Sequence, residues 1–440
     1  MGCGQPKEQY ILCQYNIEED NTQILNCVDN CKNLFKDEFG KEMNNNRKEL
    51  EDSLELYMDN EKIPFSFTYS KKGSHELKIV ITNINDNLKN ISCMFMNCKS
   101  LIRIDLSNFN SNNIIDMSNL FFNCTSLRSI ELNNFRTNNV YNMKNMFRNC
   151  TTLISVDLSS FRTNNAKEMT AMFSGCSSIQ FIKNINFVNK KIESTFNIFN
   201  DCKSIEHLNL EKFRTDNVTN MMCMFNNCSK LRVLYISKFD TSKVTNMAGM
   251  FYGCSSLNNL FLRHFNTSKV ENMDCMFQGC SSLQDYHFNI AHFDTKKVKT
   301  MENMFAGYSS LEDLNLWNFK TDNLVNMSNM FHSCTSLKKV HLSYVDTKNV
   351  KSMKGMFFKC TSIKGIYISH FNTENVEDMS VMFFHCDSLN ELNISINTKK
   401  VKSMEGMFLG CKSLKEIDLS SFDTRKVENI GCMLWLFFFN

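Results

Sequence analysis

The 440-residue sequence predicts an α/β solenoid, in which repeats of one strand and one helix stack into a parallel sheet. Three observations predict it: a cysteine that recurs every 26 residues, an L-x-x-L-x-L stretch after it, and a V-x-x-M-x-x-M-F stretch further on. A fixed period of this length is typical of stacked repeats, and about thirteen units are predicted between roughly residues 91 and 422. The cysteines are Cys98, Cys124, Cys150, Cys176, Cys202, Cys228, Cys254, Cys280, Cys334, Cys360, Cys386 and Cys411.

The first half of each repeat predicts a short, half-buried strand. In the unit that follows Cys254, Leu257, Leu260 and Leu262 end in the alternation of a strand with one buried side. Phe265 follows three residues later and extends the apolar face. One unit cannot bury these residues alone, so stacking against the next unit is expected.

The second half predicts a helix of about three turns, because its apolar residues change to helical spacing. Val270, Met273 and Met276 would line the inner face of this helix. Thr267 precedes them as a candidate N-cap. The Gly or Asn that usually stands before the next cysteine would end the helix in the left-handed conformation.

Two units depart from the pattern. The unit after Cys176 has an irregular strand pattern and carries Ile192 and Ile198 where Val and Met are usual. It is still expected to stack on the neighbouring units. The unit after Cys280 carries an insertion at 286–292, which predicts a bulged loop, and Tyr308 replaces the next cysteine.

The N-terminal residues are not repeats and predict a small α+β cap over residues 9–90, because a solenoid must cover its first open face. A strand is expected at 9–17, and strands at 62–69 and 76–81 flank a turn at 71–74. Helices are expected from Gln23 to about Asp37 and from Glu42 to about Leu56. The remaining predicted divisions are a flexible segment at 1–8, repeats at 91–434 and an apolar tail at 435–440.

The extreme N-terminus predicts lipidation. Gly2 would accept myristate after removal of Met1, and Cys3 would accept palmitate, so that two acyl chains hold the protein at a membrane surface. Pro6 stands where Ser or Thr is usual in such signals, and the alternative is an ordinary terminus. No apolar segment precedes Cys3, as a bacterial lipoprotein signal would require.

Composition bounds the partners and the compartment. The net charge is +3, which gives no electrostatic case for nucleic acid as the main partner. Neither a secretory signal nor a stretch long enough to span a bilayer is visible. Reduced cysteines in an intracellular setting, at the cytoplasmic face of a membrane if Gly2 and Cys3 are acylated, are therefore expected, with the cell surface as the alternative.

The cysteine ladder has two interpretations. Neighbouring thiols in stacked units would lie within disulfide range, but each cysteine precedes a core leucine, which favours a packing role. Cys13, Cys27 and Cys31 make a weak case for zinc, since no fourth ligand is evident. No nucleotide-binding, serine-hydrolase or metalloprotease motif is present, so no catalytic residue, metal or cofactor is predicted.

Aromatic and histidine side chains on the outward side of the strands predict a protein-binding face. Such residues on a rigid sheet are typical of binding hot spots, and the alternative is scattered apolar surface. The candidates are Phe181, His207, Tyr235, Phe261, His287, Trp317, His341 and Tyr367.

The repeat text resembles the BspA-type leucine-rich repeat of bacterial surface proteins and mycoplasma lipoproteins. The stretch FDTSKVTNMAGMFYGCSSLNNLFL at 239–262 carries the resemblance, and related text covers about 91–434. The family implies a leucine-rich-repeat solenoid that serves protein interaction or adhesion, without a cofactor or catalytic motif.

These observations together predict a non-enzymatic interaction scaffold or adaptor that uses the concave face of the solenoid, with a membrane tether if the N-terminus is acylated. The first alternative is a secreted or cell-surface adhesin. The second is a regulatory subunit or an enzyme with its site in the N-terminal segment. The protein partner is not specified by the sequence.

Overall fold

The computed structural model describes residues 8–31, 45–82, 88–188, 190–283, 289–394 and 396–434. The chain forms two compact units, Met1–Asn217 and Val218–Asn440, called unit 1 and unit 2 below. Unit 1 contains the N-terminal cap and the first coils of the repeat, and the described part of unit 2 consists of coils alone.

The cap is an antiparallel sheet with short helices at Val28–Cys31 and Arg47–Ser53. Its central strand, Tyr10–Ile17, buries alternate side chains, as the sequence predicts. A second small sheet pairs Thr22–Gln23 with Thr68–Tyr69. In chain order the cap strands are β1 (Tyr10–Ile17), β2 (Thr22–Gln23), β3 (Leu54–Met58), β4 (Glu61–Ile63), β5 (Thr68–Tyr69) and β6 (Gly73–Ile81).

Strand β1 joins the cap to the first coil. One edge of β1 pairs antiparallel with β6, and the other pairs antiparallel with β7, the first coil strand at Leu101–Asp105. Strand β7 then pairs in parallel with β8 at Ser129–Glu131. The cap therefore covers the edge of the repeat sheet in unit 1, which removes an unpaired strand edge.

The two predicted cap helices are shorter than expected. Among the described residues the first is confined to Val28–Cys31, and its predicted continuation lies outside them. The second ends at Ser53, and the prediction that it reaches Leu56 is wrong, because Leu54–Met58 is strand β3. The sequence LELYM buries every second side chain against the sheet, which favours a strand over a helix.

The coils confirm the parallel strand of the repeat, in about 11 turns among the described residues. Each strand is short, and its middle residue is buried, as Val156 and Ile366 are, or half-buried, as Ile182 is. The irregular unit after Cys176 stacks as predicted, since β10 pairs in parallel with β9. The later strands are β9 (Ser155–Asp157), β10 (Phe181–Lys183), β11 (His207–Asn209), β12 (Val233–Tyr235), β13 (Asp313–Asn315), β14 (Lys339–His341), β15 (Gly365–Tyr367) and β16 (Glu391–Asn393).

The predicted repeat helix is wrong, because the described coil residues between 88 and 434 form stacked turns and contain no helix. In one coil the backbone N–H groups of Met117, Asn119 and Phe121 donate to carbonyls of the next coil, at 3.0, 2.8 and 2.8 Å. Between them, the N–H of Leu120 donates to the carbonyl of Met117 at 3.3 Å. Alternate N–H groups thus bond to the next coil, whereas a helix would bond all of them within itself.

Left-handed residues explain why the helix does not form. Each coil places two of them four residues apart, such as Asn119 and Asn123 with φ of 57° and 61°, or Gly249 and Gly253 with 59° and 67°. An α-helix requires φ near −63°, so two such residues interrupt it, and Asn and Gly tolerate this conformation best. Sequence reasoning assigned only the second residue, as a helix end, and missed the first.

The recurrent threonine is not a helix N-cap, and its hydroxyl instead forms hydrogen bonds to the backbone of the next coil. Thr137 is buried, and its Oγ1 donates to the carbonyl of Arg162 at 2.8 Å and accepts the N–H of Arg162 at 2.8 Å. Thr347 donates in the same way to the carbonyl of Asn372 at 2.9 Å. One hydroxyl therefore satisfies backbone groups that would otherwise be buried without a partner.

A column of phenylalanine side chains stacks through each unit. Phe147 lies between Phe121 and Phe173 with ring centroids 5.5 and 5.2 Å apart. In unit 2, Phe357 lies between Phe331 and Phe383 at 5.4 and 5.9 Å. These near-parallel rings fill the core at the turn side of the coils.

The cysteine ladder is a hydrogen-bonded packing column. The thiol of Cys124 donates to the carbonyl of Phe95 at 3.0 Å, and that of Cys334 donates to the carbonyl of Phe305 at 3.1 Å. All ladder cysteines are buried and none forms a disulfide, and burial raises the pKa of Cys334 to about 12. Tyr308 fills the same column, and its hydroxyl donates to the carbonyl of Leu283 at 3.1 Å. The packing interpretation therefore fits better than disulfide chemistry.

Candidate interaction surface

Two outward positions of each coil strand form the candidate surface. Counted from the ladder residue, they are the fifth and the seventh positions, called slot 5 and slot 7. The residue between them points inward, as the burial of Leu234 in β12 illustrates. In unit 1, slot 7 holds Asp105, Glu131, Asp157, Lys183 and Asn209. Among the described residues of unit 2, slot 7 holds Tyr235, Phe261, Asn315, His341, Tyr367, Asn393 and Asp418.

Aromatic side chains are strongly exposed at this surface in unit 2. The exposed fractions are 52% for Tyr235, 61% for Phe261 and 60% for Tyr367. Trp317, which follows β13 by two residues, is 54% exposed. Large apolar side chains held outward on a sheet supply contact area at a small conformational cost, which makes them suited to binding.

In other coils, the side chain at slot 7 accepts a hydrogen bond that closes the turn after the strand. The aromatic residues at this slot cannot accept that bond. Asp105 and Asp157 each accept the N–H two residues further along at 2.8 Å, and Asn315 accepts the N–H of Trp317 at 3.0 Å. This bond closes the turn after the strand, as Asp and Asn side chains commonly do. The rings of Tyr235 and Phe261 cannot replace it, so turn stability does not explain these two residues.

Trp317 and His341 form one cluster. Their ring centroids lie 6.1 Å apart in an edge-to-face arrangement, because Asn315 and His341 are in register on neighbouring strands. The Nε2 of His341 also lies 3.5 Å from a carboxylate oxygen of Asp313. The structure thus brings together two of the predicted binding residues.

Tyr367 lies across its own strand. Its ring covers Gly365, where an added Cβ would stand 3.0 Å from the tyrosine oxygen. The hydroxyl donates to the carboxylate of Glu391 in the next coil, and this hydrogen bond raises the pKa of Tyr367. Glycine at slot 5 therefore allows the ring to lie flat over the face.

The predicted face divides between the two units. Phe181 and His207 belong to unit 1 and occupy slot 5, where both are exposed. Tyr235, Phe261 and the Trp317 cluster belong to unit 2. His287, Gly2, Cys3 and the tail at 435–440 lie outside the described residues.

Sequence reasoning missed Tyr344, which is 71% exposed. It stands three residues after His341, at a position where other coils place a polar side chain that bonds to the preceding coil. Asn134 donates there to the carbonyl of Ser107 at 2.9 Å, and His370 lies 3.0 Å from the carbonyl oxygen of Leu342. The occurrence of a tyrosine at this otherwise polar position could have identified Tyr344 from the sequence.

A second aromatic group, on the turn side of unit 2, was also missed. His332 stacks on Phe358 at 4.5 Å, and Phe358 stacks on Phe384 at 4.7 Å. The Nζ of Lys359 lies 5.4 Å from the centre of the Phe358 ring. All three rings are half-buried. The sequence could have indicated this group, because an aromatic residue directly follows the phenylalanine of the M-x-x-M-F stretch in three consecutive coils.

A polar cleft of about 700 Å³ lies where the cap meets the first coils. The β1–β2 connection at 18–21 and strand β2 line one side, and Lys99, Ser100 and Arg128 line the other. None of its described lining residues is a histidine or a cysteine.

The described residues contain no group of three or more His, Cys, Asp or Glu side chains that could hold a metal ion. Cys31 and Cys93 instead pack in a buried apolar cluster with Val28 and Met96. No helix in the described ranges has both the length and the apolar character needed to cross a bilayer.

Comparisons with known proteins identify the repeats. A family model described as "Mycoplasma protein of unknown function, DUF285" matches residues 89–208, 193–288, 284–367 and 360–437. No match is found among curated proteins.

Two solved structures are similar at low identity. A leucine rich cell surface protein from Faecalibacterium prausnitzii is 15% identical, with 73% of this chain and 85% of that chain covered at a TM-score of 0.37. A leucine-rich repeat protein from Eubacterium ventriosum is 13% identical, with 75% and 89% covered at a TM-score of 0.38. The family match alone spans most of the sequence, so the chain belongs to the DUF285 family and carries the BspA-type leucine-rich repeat that its sequence predicts.

Proposed function

We propose that this protein is a non-enzymatic interaction scaffold whose protein partner docks on the strand face of unit 2. The observation that carries the proposal is the substitution of a turn-closing Asp or Asn by Tyr235 and Phe261, which are more than half exposed. We infer that a large apolar side chain that is mostly exposed and closes no turn serves to contact a partner. Exposed aromatic residues of this kind dominate binding energy in many interfaces.

Trp317, His341 and Tyr367 extend the proposed surface, and Tyr344 is added to it from its exposure. Phe181 and His207 form a separate candidate patch in unit 1. The rigid coils support this role, because their buried columns hold the strand face in place before a partner arrives. Binding then requires little ordering of the scaffold.

The test is affinity capture with the full chain and with a variant carrying Tyr235→Ser, Phe261→Ser and Trp317→Ser. The matched control is Ile154→Ser, which removes a 49% exposed apolar side chain from unit 1. We expect partners captured by the wild type and the control to be lost from the triple variant. Capture of the same partners at the same level by the triple variant would contradict the proposal.

Acylation of Gly2 and Cys3 stays a prediction that adds a membrane tether to the scaffold. Incorporation of labelled myristate into the wild type, and its loss in Gly2→Ala, would support the tether. The scaffold proposal does not depend on the result, since the strand face is equally available at a cell surface or inside the cell.

A further inference from the structure

Basic side chains lie in the same coils as Tyr235 and Phe261, the first two aromatic residues at slot 7 in unit 2. The segment from Cys228 to Phe265 contains five basic residues and one acidic residue. Tyr235 and Phe261 stand at slot 7 of the two coils that this segment forms. The basic residues are Lys230, Arg232, Lys238, Lys243 and Arg263.

Three of these cations are exposed and have no partner within the described chain. Arg232 directly precedes β12, Lys238 follows it by three residues, and Arg263 follows Phe261 by two. None of the three forms an ion pair, a side-chain hydrogen bond or a ring contact with another described residue. The one acidic residue, Asp240, accepts the N–H of Ser242 at 2.9 Å.

Near the other aromatic groups of the same face, carboxylates contact several of the polar and basic side chains. Beside the Trp317 cluster, the Nζ of Lys338 lies 2.8 Å from a carboxylate oxygen of Glu312. His341 lies near Asp313, and Tyr367 donates to Glu391. An excess of basic over acidic residues is thus a property of the coils at Tyr235 and Phe261, whereas residues 311–345, around the Trp317 cluster, contain three of each.

We propose that Tyr235 and Phe261, together with Arg232, Lys238 and Arg263, form a docking surface for an acidic protein segment. Carboxylates of the partner would pair with the guanidinium and ammonium groups, while its apolar side chains cover the two rings. Charge complementarity of this kind fixes the partner and speeds its association. This inference rests on the proposed function and specifies the charge of the partner.

A protein segment fits better than a nucleic acid. The net charge of the whole chain is only +3, whereas nucleic-acid surfaces carry basic residues along their full length. Further along the face, residues 311–345 contain three acidic and three basic residues and offer no continuing basic track. A short cluster of carboxylates matches the local charge, but a phosphate backbone would extend beyond it.

The experiment measures fluorescence anisotropy of the full chain with three labelled probes of equal length. The first is a peptide of mixed Glu and Phe, the second replaces each Glu by Lys, and the third is an oligothymidylate. We expect the acidic peptide to bind at least about tenfold more tightly than the basic one, and its affinity to fall as salt is raised. The oligothymidylate should bind more weakly than the acidic peptide.

Two double variants locate the site. Arg232→Gln with Arg263→Gln should weaken the acidic peptide by about tenfold or more and flatten its salt dependence. The control, Lys338→Gln with Lys339→Gln, removes the same charge from coils where Lys338 already has a carboxylate partner, and should change affinity less than about twofold. Thermal unfolding of each variant checks that the fold is intact.

Several outcomes would overturn the inference. They are equal binding of the acidic and basic peptides, equal losses in the two double variants, and tighter binding of the oligothymidylate, which would make the occupant a nucleic acid. Self-association that is lost in Arg232→Gln with Arg263→Gln would make the occupant a second copy of this chain. If partner capture still requires Tyr235 and Phe261 while the acidic peptide shows no preference, the docking function stands and only the stated charge of the partner fails.

Discussion

Units 1 and 2 have the same buried columns but different strand faces. In both, phenylalanine rings stack, ladder cysteines donate to carbonyls, and threonine hydroxyls bridge neighbouring coils. At slot 7, unit 1 carries Asp105, Glu131 and Asp157, whereas unit 2 carries Tyr235 and Phe261. The coils therefore act as internal controls for one another: what recurs in both units maintains the fold, and what differs on the exposed face is free to serve function.

The phenylalanine column should affect stability most, and equally in the two units. Phe147→Ala and Phe357→Ala each remove a fully buried ring that stacks on two neighbours. We expect each variant to lose about 3 to 5 kcal/mol of local stability. Hydrogen exchange followed by mass spectrometry measures this loss within each unit separately.

Unequal losses of stability in the two alanine variants would contradict the equivalence of the phenylalanine columns in units 1 and 2. If Phe147→Ala left exchange in unit 1 nearly unchanged while Phe357→Ala opened unit 2, the two columns would not be equivalent. A conservative variant, Phe→Leu at each position, should lose less than the alanine variant because more of the ring volume is retained.

The threonine column should have the next largest effect, and it contains its own control. Thr137→Val replaces a hydroxyl that makes two hydrogen bonds to Arg162, so we expect a loss of about 1 to 2 kcal/mol. Thr163 is equally buried, but its Oγ1 has no hydrogen-bond partner among the described residues. Thr163→Val should therefore be neutral or stabilising in urea unfolding. A larger loss for Thr163→Val than for Thr137→Val would contradict the assigned role.

The cysteine column predicts a loss of stability at alkaline pH in both units. Burial raises the pKa of Cys176 in unit 1 and of Cys280 in unit 2 to about 12, against an ordinary value of 9.0. Because the folded state holds the thiol proton more tightly, this stabilisation is complete below pH 9 and is lost as the pH rises towards 12.

The size of the alkaline effect follows from the shift. At pH 10 the free energy of unfolding should be lower by about 1.4 kcal/mol for each such thiol than it is well below pH 9. Cys176→Ala and Cys280→Ala should each reduce the fall in unfolding free energy between pH 8 and pH 10 by about this amount. An unchanged pH dependence in either variant would show that its thiol does not titrate on unfolding.

The sequence alone could predict the parts of the fold that depend on period and burial. The 26-residue spacing, the inward residues such as Leu260 and the capping strand at Tyr10–Ile17 were all evident from it. The exposed aromatic residues at Tyr235 and Phe261 were also predicted, because strand alternation determines which side chains face outward.

The turn side of the coils could not be predicted in the same way. Valine and methionine at spacings of three indicate a helix, and the same residues also suit a stack of turns whose N–H groups bond to the next coil. Only the left-handed backbone at positions such as Asn119 and Asn123 separates the two structures. Asn is common outside this conformation, so its presence in one sequence does not decide between them.

A scan of slot 7 tests the central claim most directly. Asp105, Asp157, Tyr235, Phe261 and Tyr367 would each be changed to Ala in the full chain, with partner capture and unfolding measured on every variant. We expect the Asp105 and Asp157 variants to lose about 1 kcal/mol of stability through their turn-closing bonds and to capture the partner normally. The Tyr235 and Phe261 variants should keep their stability and lose the partner. The account would be contradicted if all these variants affected stability alone, or if the unit 1 variants lost the partner as well.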